Sequence, residues 1–135
     1  MLKGTKAIRP LKVLIIDDEF LIRWSLTQAL TQEGYEVAAE DGRRPVEEVK
    51  IERFDFVITD LIMPEWDGWK ILEAAQQACP APRVIVMTAF GKDGTESMAK
   101  ERGAWAYVEK PFIIDRVKAI LKQALNGGTS LFDSP

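Results

Sequence analysis

Five short apolar runs, at residues 11–16, 35–39, 54–59, 83–87 and 105–109, are spaced along the chain with helical patterns between them. Runs of this length, with few polar interruptions, mark strands buried on both faces. After the first run, Ile22, Ser25, Leu26, Ala29 and Leu30 repeat at i, i+3, i+4, i+7 and i+8, the stripe of a helix that covers a sheet. Gly34 stands where such a helix stops. Pro45 can open a short second helix to about Lys50, with Val46 and Val49 turned inward. Asp67 is placed to cap a third helix, which runs to about Ala78 before Pro80 and Pro82 forbid its continuation. Asp93 opens a short fourth helix that stops at Gly103. The fifth runs from Ile113 and carries Val117, Ile120, Leu121 and Ala124 on one face until Gly127-Gly128.

Strands that alternate with helices predict an α/β fold, a parallel sheet covered on both sides and joined by right-handed crossovers. Five such units fit the doubly wound, flavodoxin-like (βα)5 arrangement, a five-stranded sheet in the order 2-1-3-4-5. Residues 11–126 are expected to form the folded unit, with residues 1–10 as an N-terminal extension and residues 127–135 as a flexible C-terminal tail. The 135 residues suit one domain, and 47% hydrophobic with 29% charged residues suit a real core and a soluble surface. No apolar run reaches the roughly 18 residues of a membrane span, and residues 1–10 lack a signal-type apolar stretch. A cytoplasmic location without membrane association is the expectation.

The rarest residue types exclude several chemistries. The chain has no histidine and a single cysteine, Cys79. Histidine-ligated zinc, Ser–His and Cys–His nucleophiles, and an intrachain disulfide are therefore ruled out. The formal net charge of −3 opposes a surface built for direct nucleic-acid binding.

What remains is oxygen chemistry, and it collects at the ends of strands. Asp17 and Asp18 follow the first run, Asp60 the third, Thr88 the fourth and Lys110 the fifth. In an open α/β sheet, ligands bind outside the carboxyl ends of the strands, where strand order reverses. Three carboxylates in one crevice repel one another unless a cation or a proton intervenes. With oxygen ligands alone, a hard ion is the natural partner, and Mg²⁺ suits few carboxylates plus water and phosphate oxygens. A carboxylate can also act as a nucleophile toward phosphorus, with a hydroxyl (Thr88) and an ammonium (Lys110) to hold phosphoryl oxygens. Each residue alone has a plainer reading. Asp17-Asp18 can cap a helix, Asp60 can begin an Asx-type turn, Thr88 can be a strand residue and Lys110-Pro111 a solvated turn. Coincidence at four separate strand ends weighs against that.

The segments IIDDE at 15–19, ITDLIMPEWDG at 58–68, MTAFG at 87–91 and YVEKPF at 107–112 resemble the receiver domains of two-component response regulators. The resemblance spans about Leu11 to Leu125, and MTAFG with GAWAYVEKPF looks nearest to receivers of the nitrogen-regulation activator group. It implies that Asp60 is the phosphoacceptor in a phosphorelay. It implies that Asp18, Asp60 and the backbone carbonyl of Ile62 ligate Mg²⁺ directly, and that Asp17 holds the ion mainly through water. Thr88 and Lys110 would bind phosphoryl oxygens, the Lys110-Pro111 peptide would be cis, and Ala89 would leave room for the group. Tyr107 would be the switch aromatic that turns inward as Thr88 moves. The implied partner is a sensor histidine kinase or a phosphotransfer protein. A homodimer would use the face of the fourth helix, fifth strand and fifth helix. Such a domain catalyses its own phosphorylation and dephosphorylation without turning over a free substrate, so it is not an enzyme in the usual sense.

Two other readings share the fold. A flavodoxin-like FMN binder would use the same crevice, but an acidic cluster repels the cofactor phosphate, and a colourless protein would exclude it. A phosphorylation-independent interaction module would not need the acidic set. Among the tryptophans, Trp24 falls off the first helix's apolar stripe, in a region the resemblance gives to phosphodonor docking. Trp105 shares a strand face with Tyr107 by period-2 alternation, and Trp66 and Trp69 flank Asp67-Gly68. Ile62 and Phe90, two residues beyond Asp60 and Thr88, are apolar and cannot orient an attacking water. Slow hydrolysis of phospho-Asp60 is therefore expected. Ile62→Asn and Phe90→Glu should each speed the decay of the phosphorylated protein, followed by intact mass; unchanged decay in both discards the idea.

Overall fold

The computed structural model describes residues 9–63, 67–89, 94–111 and 114–126. Along the chain run β1 (Lys12–Ile16), α1 (Phe20–Gln32), β2 (Glu36–Glu40), β3 (Phe56–Asp60), α2 (Gly68–Gln77), β4 (Arg83–Thr88), α3 (Thr95–Glu101), β5 (Ala106–Glu109) and α4 (Ile114–Leu125). All five strands are parallel, in the order β2-β1-β3-β4-β5. The predicted doubly wound architecture is the one observed.

The apolar runs are continuous because both sheet faces are covered. Val13 and Ile15, Phe56 and Ile58, and Ile85 and Met87 point to one side, against Leu26 and Leu30 of α1 and Val117, Ile120 and Leu121 of α4. Their neighbours Leu14, Ile16, Val57, Val84 and Val86 point to the other side, against Ile71, Leu72 and Ala75 of α2 and Ala99 of α3. Period-2 alternation thus serves two cores at once.

Helix boundaries follow local chemistry. Gly34, at φ +98°, ends the turn after α1, a conformation that costs a side chain dearly and glycine nothing. Asp67 caps α2 as expected, its carboxylate accepting the Trp69 N–H at 2.9 Å. Gly94 precedes α3, while Asp93, predicted to open that helix, lies outside the described residues. So do Ile113, Phe90, Trp66, the Gly127-Gly128 stop, residues 1–8 of the N-terminal extension and the whole 127–135 tail.

Two expectations need correction. The helix predicted from Pro45 to Lys50 is instead a pair of 3₁₀ turns, Val46–Glu48 and Ile51–Arg53, leaving four α-helices among the described residues. Val49 between the turns is extended, and both Val49 and Ile51 are buried. Residues two apart share a side in extended chain and not on a helix, so burying both breaks the helix. Trp105 does not share a face with Tyr107. It lies in the bend before β5 and packs on the α1/α4 core, whereas Tyr107 packs on the opposite one. Alternation holds only inside a strand, and Trp105 is just outside.

Trp24 is 54% exposed, as its place off the stripe predicted. No helix among the described residues is long and apolar enough to cross a membrane. Ile58, fully buried between Ile15 and Ile85 of the neighbouring strands, should lose about 2–5 kcal/mol on Ile58→Ala. Trp24→Ala should stay within about 0.5 kcal/mol. Urea unfolding of the two variants measures the contrast.

Candidate functional site

The carboxyl ends of β1, β3 and β5 converge where the strand order reverses. Asp17 immediately follows β1 and is fully buried, its N–H donating to the Glu40 carbonyl at 3.1 Å. Its Oδ1 accepts the Glu19 N–H at 2.8 Å, and its carbonyl accepts from Arg23 Nη1 at 2.7 Å. Asp60 ends β3 and is nearly buried. Its Oδ1 accepts the Ile62 N–H at 3.1 Å, so the Asx-type turn read as the plainer alternative is present as well. Asp18 is exposed, and carboxylate oxygens of Asp17, Asp18 and Asp60 all lie within 4.8 Å of one another. Neither Asp17 nor Asp18 is the N-cap of α1; that place belongs to Glu19.

Lys110 closes the cluster. Its ammonium stands 2.7 Å from Asp17 Oδ2, 2.9 Å from Asp60 Oδ2 and 3.1 Å from Glu19 Oε1. The contact with Asp17 is the shortest, yet it lies off the line of a hydrogen bond and is an ion pair; the other two are hydrogen bonds. The peptide before Pro111 is cis, as the resemblance implied, and so is Cys79-Pro80, which the sequence reading did not anticipate. The Lys110 N–H is tied to the Thr88 carbonyl at 2.8 Å. Thr88 itself ends β4 and is buried.

Burial sets the electrostatics. It pushes the Asp17 carboxyl above its ordinary range, and the Lys110 contact offsets that only in part. Burial would lower the Lys110 ammonium, but Asp17 and Asp60 outweigh it and hold Lys110 above its usual range. Tyr107, half-buried on β5, has its phenol raised by burial first, then by the charges of Glu109 and Glu96.

The donor set fits a hard divalent cation. It offers carboxylate oxygens alone, one of them a buried Asp17 oxygen with no aligned hydrogen bond. Two participants were not singled out from the sequence. Glu19 shares Lys110, although only its place in the IIDDE segment hinted at a role. Gly68 matters for space: a Cβ there would overlap the Asp60 carbonyl oxygen and stand 2.6 Å from Leu61 Cα. The Gly68 N–H also donates to the Leu61 carbonyl at 2.9 Å, and Ile62 bridges to Asp67, so Leu61 and Ile62 lie tightly against the start of α2.

Such a crevice, at the switch point of a doubly wound parallel sheet, defines an α/β module suited to a hard cation and an oxyanion. The chain belongs to the response regulator receiver domain family, whose pattern it matches over residues 13–122. It is 41% identical over 117 residues to the transcriptional regulatory protein PdtaR of Mycobacterium tuberculosis, covering 82% of this chain and 55% of that protein. The chain therefore spans about half the length of this relative. It is 36% identical to sporulation initiation phosphotransferase F of Bacillus subtilis, over 84% of this chain and 93% of that one. The beryllofluoride-activated NtrC4 receiver domain dimer superposes with a TM-score of 0.76 at 32% identity, over 86% of this chain and 97% of that one. The nitrogen-regulation group is thus among the neighbours without being singled out.

Gly68→Ala should push the Asp60 backbone outward and cost about 1–3 kcal/mol, the usual size of overpacking. Urea unfolding measures the cost, and amide chemical shifts at 60–62 should report the displacement.

Proposed function

We propose that Asp60 is the phosphoacceptor of this receiver and that Asp17, Asp18, Thr88 and Lys110 form its machinery. The observation that carries the reading is Asp60 held 2.9 Å from the Lys110 ammonium, with its carboxylate beside those of Asp17 and Asp18. Response regulators receive phosphoryl groups from histidine kinases, and a sensor kinase or a phosphotransfer protein is the partner proposed here. An Asp60 oxygen attacks phosphorus in line. The P–N bond to the donor histidine breaks, and its electron pair leaves with the imidazole, giving an acyl phosphate on Asp60.

Mg²⁺, bound by Asp18, Asp60 and the Ile62 carbonyl with Asp17 acting through water, would neutralise the crevice and the charge on the incoming group. Lys110 holds one phosphoryl oxygen and the Thr88 hydroxyl another. Ala89 leaves room for the phosphoryl group. As Thr88 moves inward, Tyr107 follows, and the population shifts toward an active surface. That surface is the face of α3, β5 and α4, where a homodimer would form. Phe20, Leu21 and Trp24 expose apolar surface at the start of α1, next to the crevice, and Ile62 is exposed after Asp60. They suit contact with the phosphodonor. The domain catalyses its own modification, turns over no free substrate, works in the cytoplasm and makes no direct contact with nucleic acid or membrane. The receiver unit is 11–126, between an N-terminal extension and a C-terminal tail.

Incubation with a small-molecule phosphodonor and Mg²⁺ should add one phosphoryl group by intact mass. Asp60→Asn should abolish the gain and chelation of Mg²⁺ should suppress it; a gain retained in Asp60→Asn overturns the assignment.

A further inference from the structure

An ammonium group has three N–H bonds to give and accepts none. Around Lys110 three carboxylates already stand within reach, from Asp17, Asp60 and Glu19. An oxyanion arriving at Asp60 must compete with these three carboxylates for the ammonium, and it gains the most if one of them withdraws.

The three are not equivalent. The Asp17 side chain is wholly buried and that of Asp60 only 7% exposed, while the Glu19 side chain is 58% exposed. Taking the cation from a buried carboxylate leaves an uncompensated charge, which is costly. Asp60 cannot withdraw, because it would bear the new group. Glu19 makes the longest of the three contacts and can turn to water at little cost. Its backbone, meanwhile, is fixed: its N–H donates to Asp17 Oδ1 at 2.8 Å and its carbonyl accepts the Arg23 N–H at 3.1 Å. Its side chain makes no capping bond to α1. The carboxylate is thus aimed at Lys110 without serving the helix.

We propose that Glu19 is a latch on Lys110: a positioning residue that occupies the ammonium in the resting protein and is displaced when an oxyanion engages Asp60. The inference rests on Asp60 being the phosphoacceptor. A latch of this kind lowers apparent affinity for the oxyanion by the fraction of molecules in which it is closed. A rival account also involves Glu19, as a negative charge at the mouth that repels anions without touching Lys110. The two separate on Glu19→Asp, which keeps the charge but shortens the side chain by one carbon–carbon bond, about 1.5 Å. That puts the carboxylate beyond hydrogen-bonding reach of the ammonium.

The test titrates beryllofluoride, a phosphoryl mimic, at fixed Mg²⁺ into the full chain and into Glu19→Gln and Glu19→Asp, followed by amide chemical shifts. The latch predicts that both variants half-saturate at about two- to fivefold lower beryllofluoride, the weight of an exposed ion pair. In the metal-free protein, the Lys110 Nζ resonance should also shift in both, with urea midpoints unchanged. If Glu19→Asp titrates like the wild type and only Glu19→Gln binds more tightly, the effect is repulsion and the latch is overturned. Unchanged or weaker binding in both variants overturns it as well. Failure of the wild-type chain to take up either beryllofluoride or a phosphoryl group removes the Asp60 assignment and the latch together, an outcome distinct from the other two.

Discussion

One buried ammonium holds this crevice together. Asp17 and Asp60 come from different strands, and burial already pushes the Asp17 carboxyl toward its neutral form. Without a cation between them, two carboxylates at this depth would repel each other at an effective dielectric far below that of water. Lys110, arriving from β5, supplies that cation and is held charged by the acids it serves. The arrangement is neutralised only in part, since one ammonium faces three carboxylates in direct contact and Asp18 close by. The surplus negative charge leaves a cluster of carboxylates that could hold a further cation.

The support for this cluster is stiff where it must be. Asp17 and Asp60 extend or end strands whose side chains are buried on both faces, and a close-packed interior of that kind resists deformation. The backbone at Asp60 and Leu61 is clamped onto α2 through Gly68, where backbone approaches backbone too closely for any side chain. Exposure is concentrated instead on the rim, in Asp18, Glu19, Phe20, Leu21, Trp24 and Ile62. The interior of the site is close-packed, and its rim is open to water.

Membership in the receiver family and the geometry of this crevice bear on each other without being the same statement. Family likeness extends over residues 13–122, most of the chain, and PdtaR is nearly twice as long as the matched region. What such a switch controls depends on the surroundings of the domain. At the strand ends, the side chains of Asp17, Asp60 and Lys110 meet, with Glu19 in contact with the ammonium at the rim.

Much of the architecture was legible because hydrophobic spacing is a one-dimensional record of burial. The runs at 11–16 and 54–59 have the length and continuity of strands covered twice, and the stripes of α1 and α4 are those of helices with one buried face. The acids at 17, 18 and 60 and Lys110 were equally visible, since topology alone carries strand ends to one edge. What spacing could not decide was the segment at 46–53, where the need to bury Val49 and Ile51 together overrode a helical pattern. Nor could it place Trp105, which lies one residue short of its strand. By itself, then, the sequence determined the sheet, its order and the set of charged groups at its switch point, because these follow from periodicity and chain connectivity. Only the tertiary structure decided that Glu19 reaches Lys110 and that Gly68 must lack a side chain, because distances between residues far apart in sequence are set by packing alone.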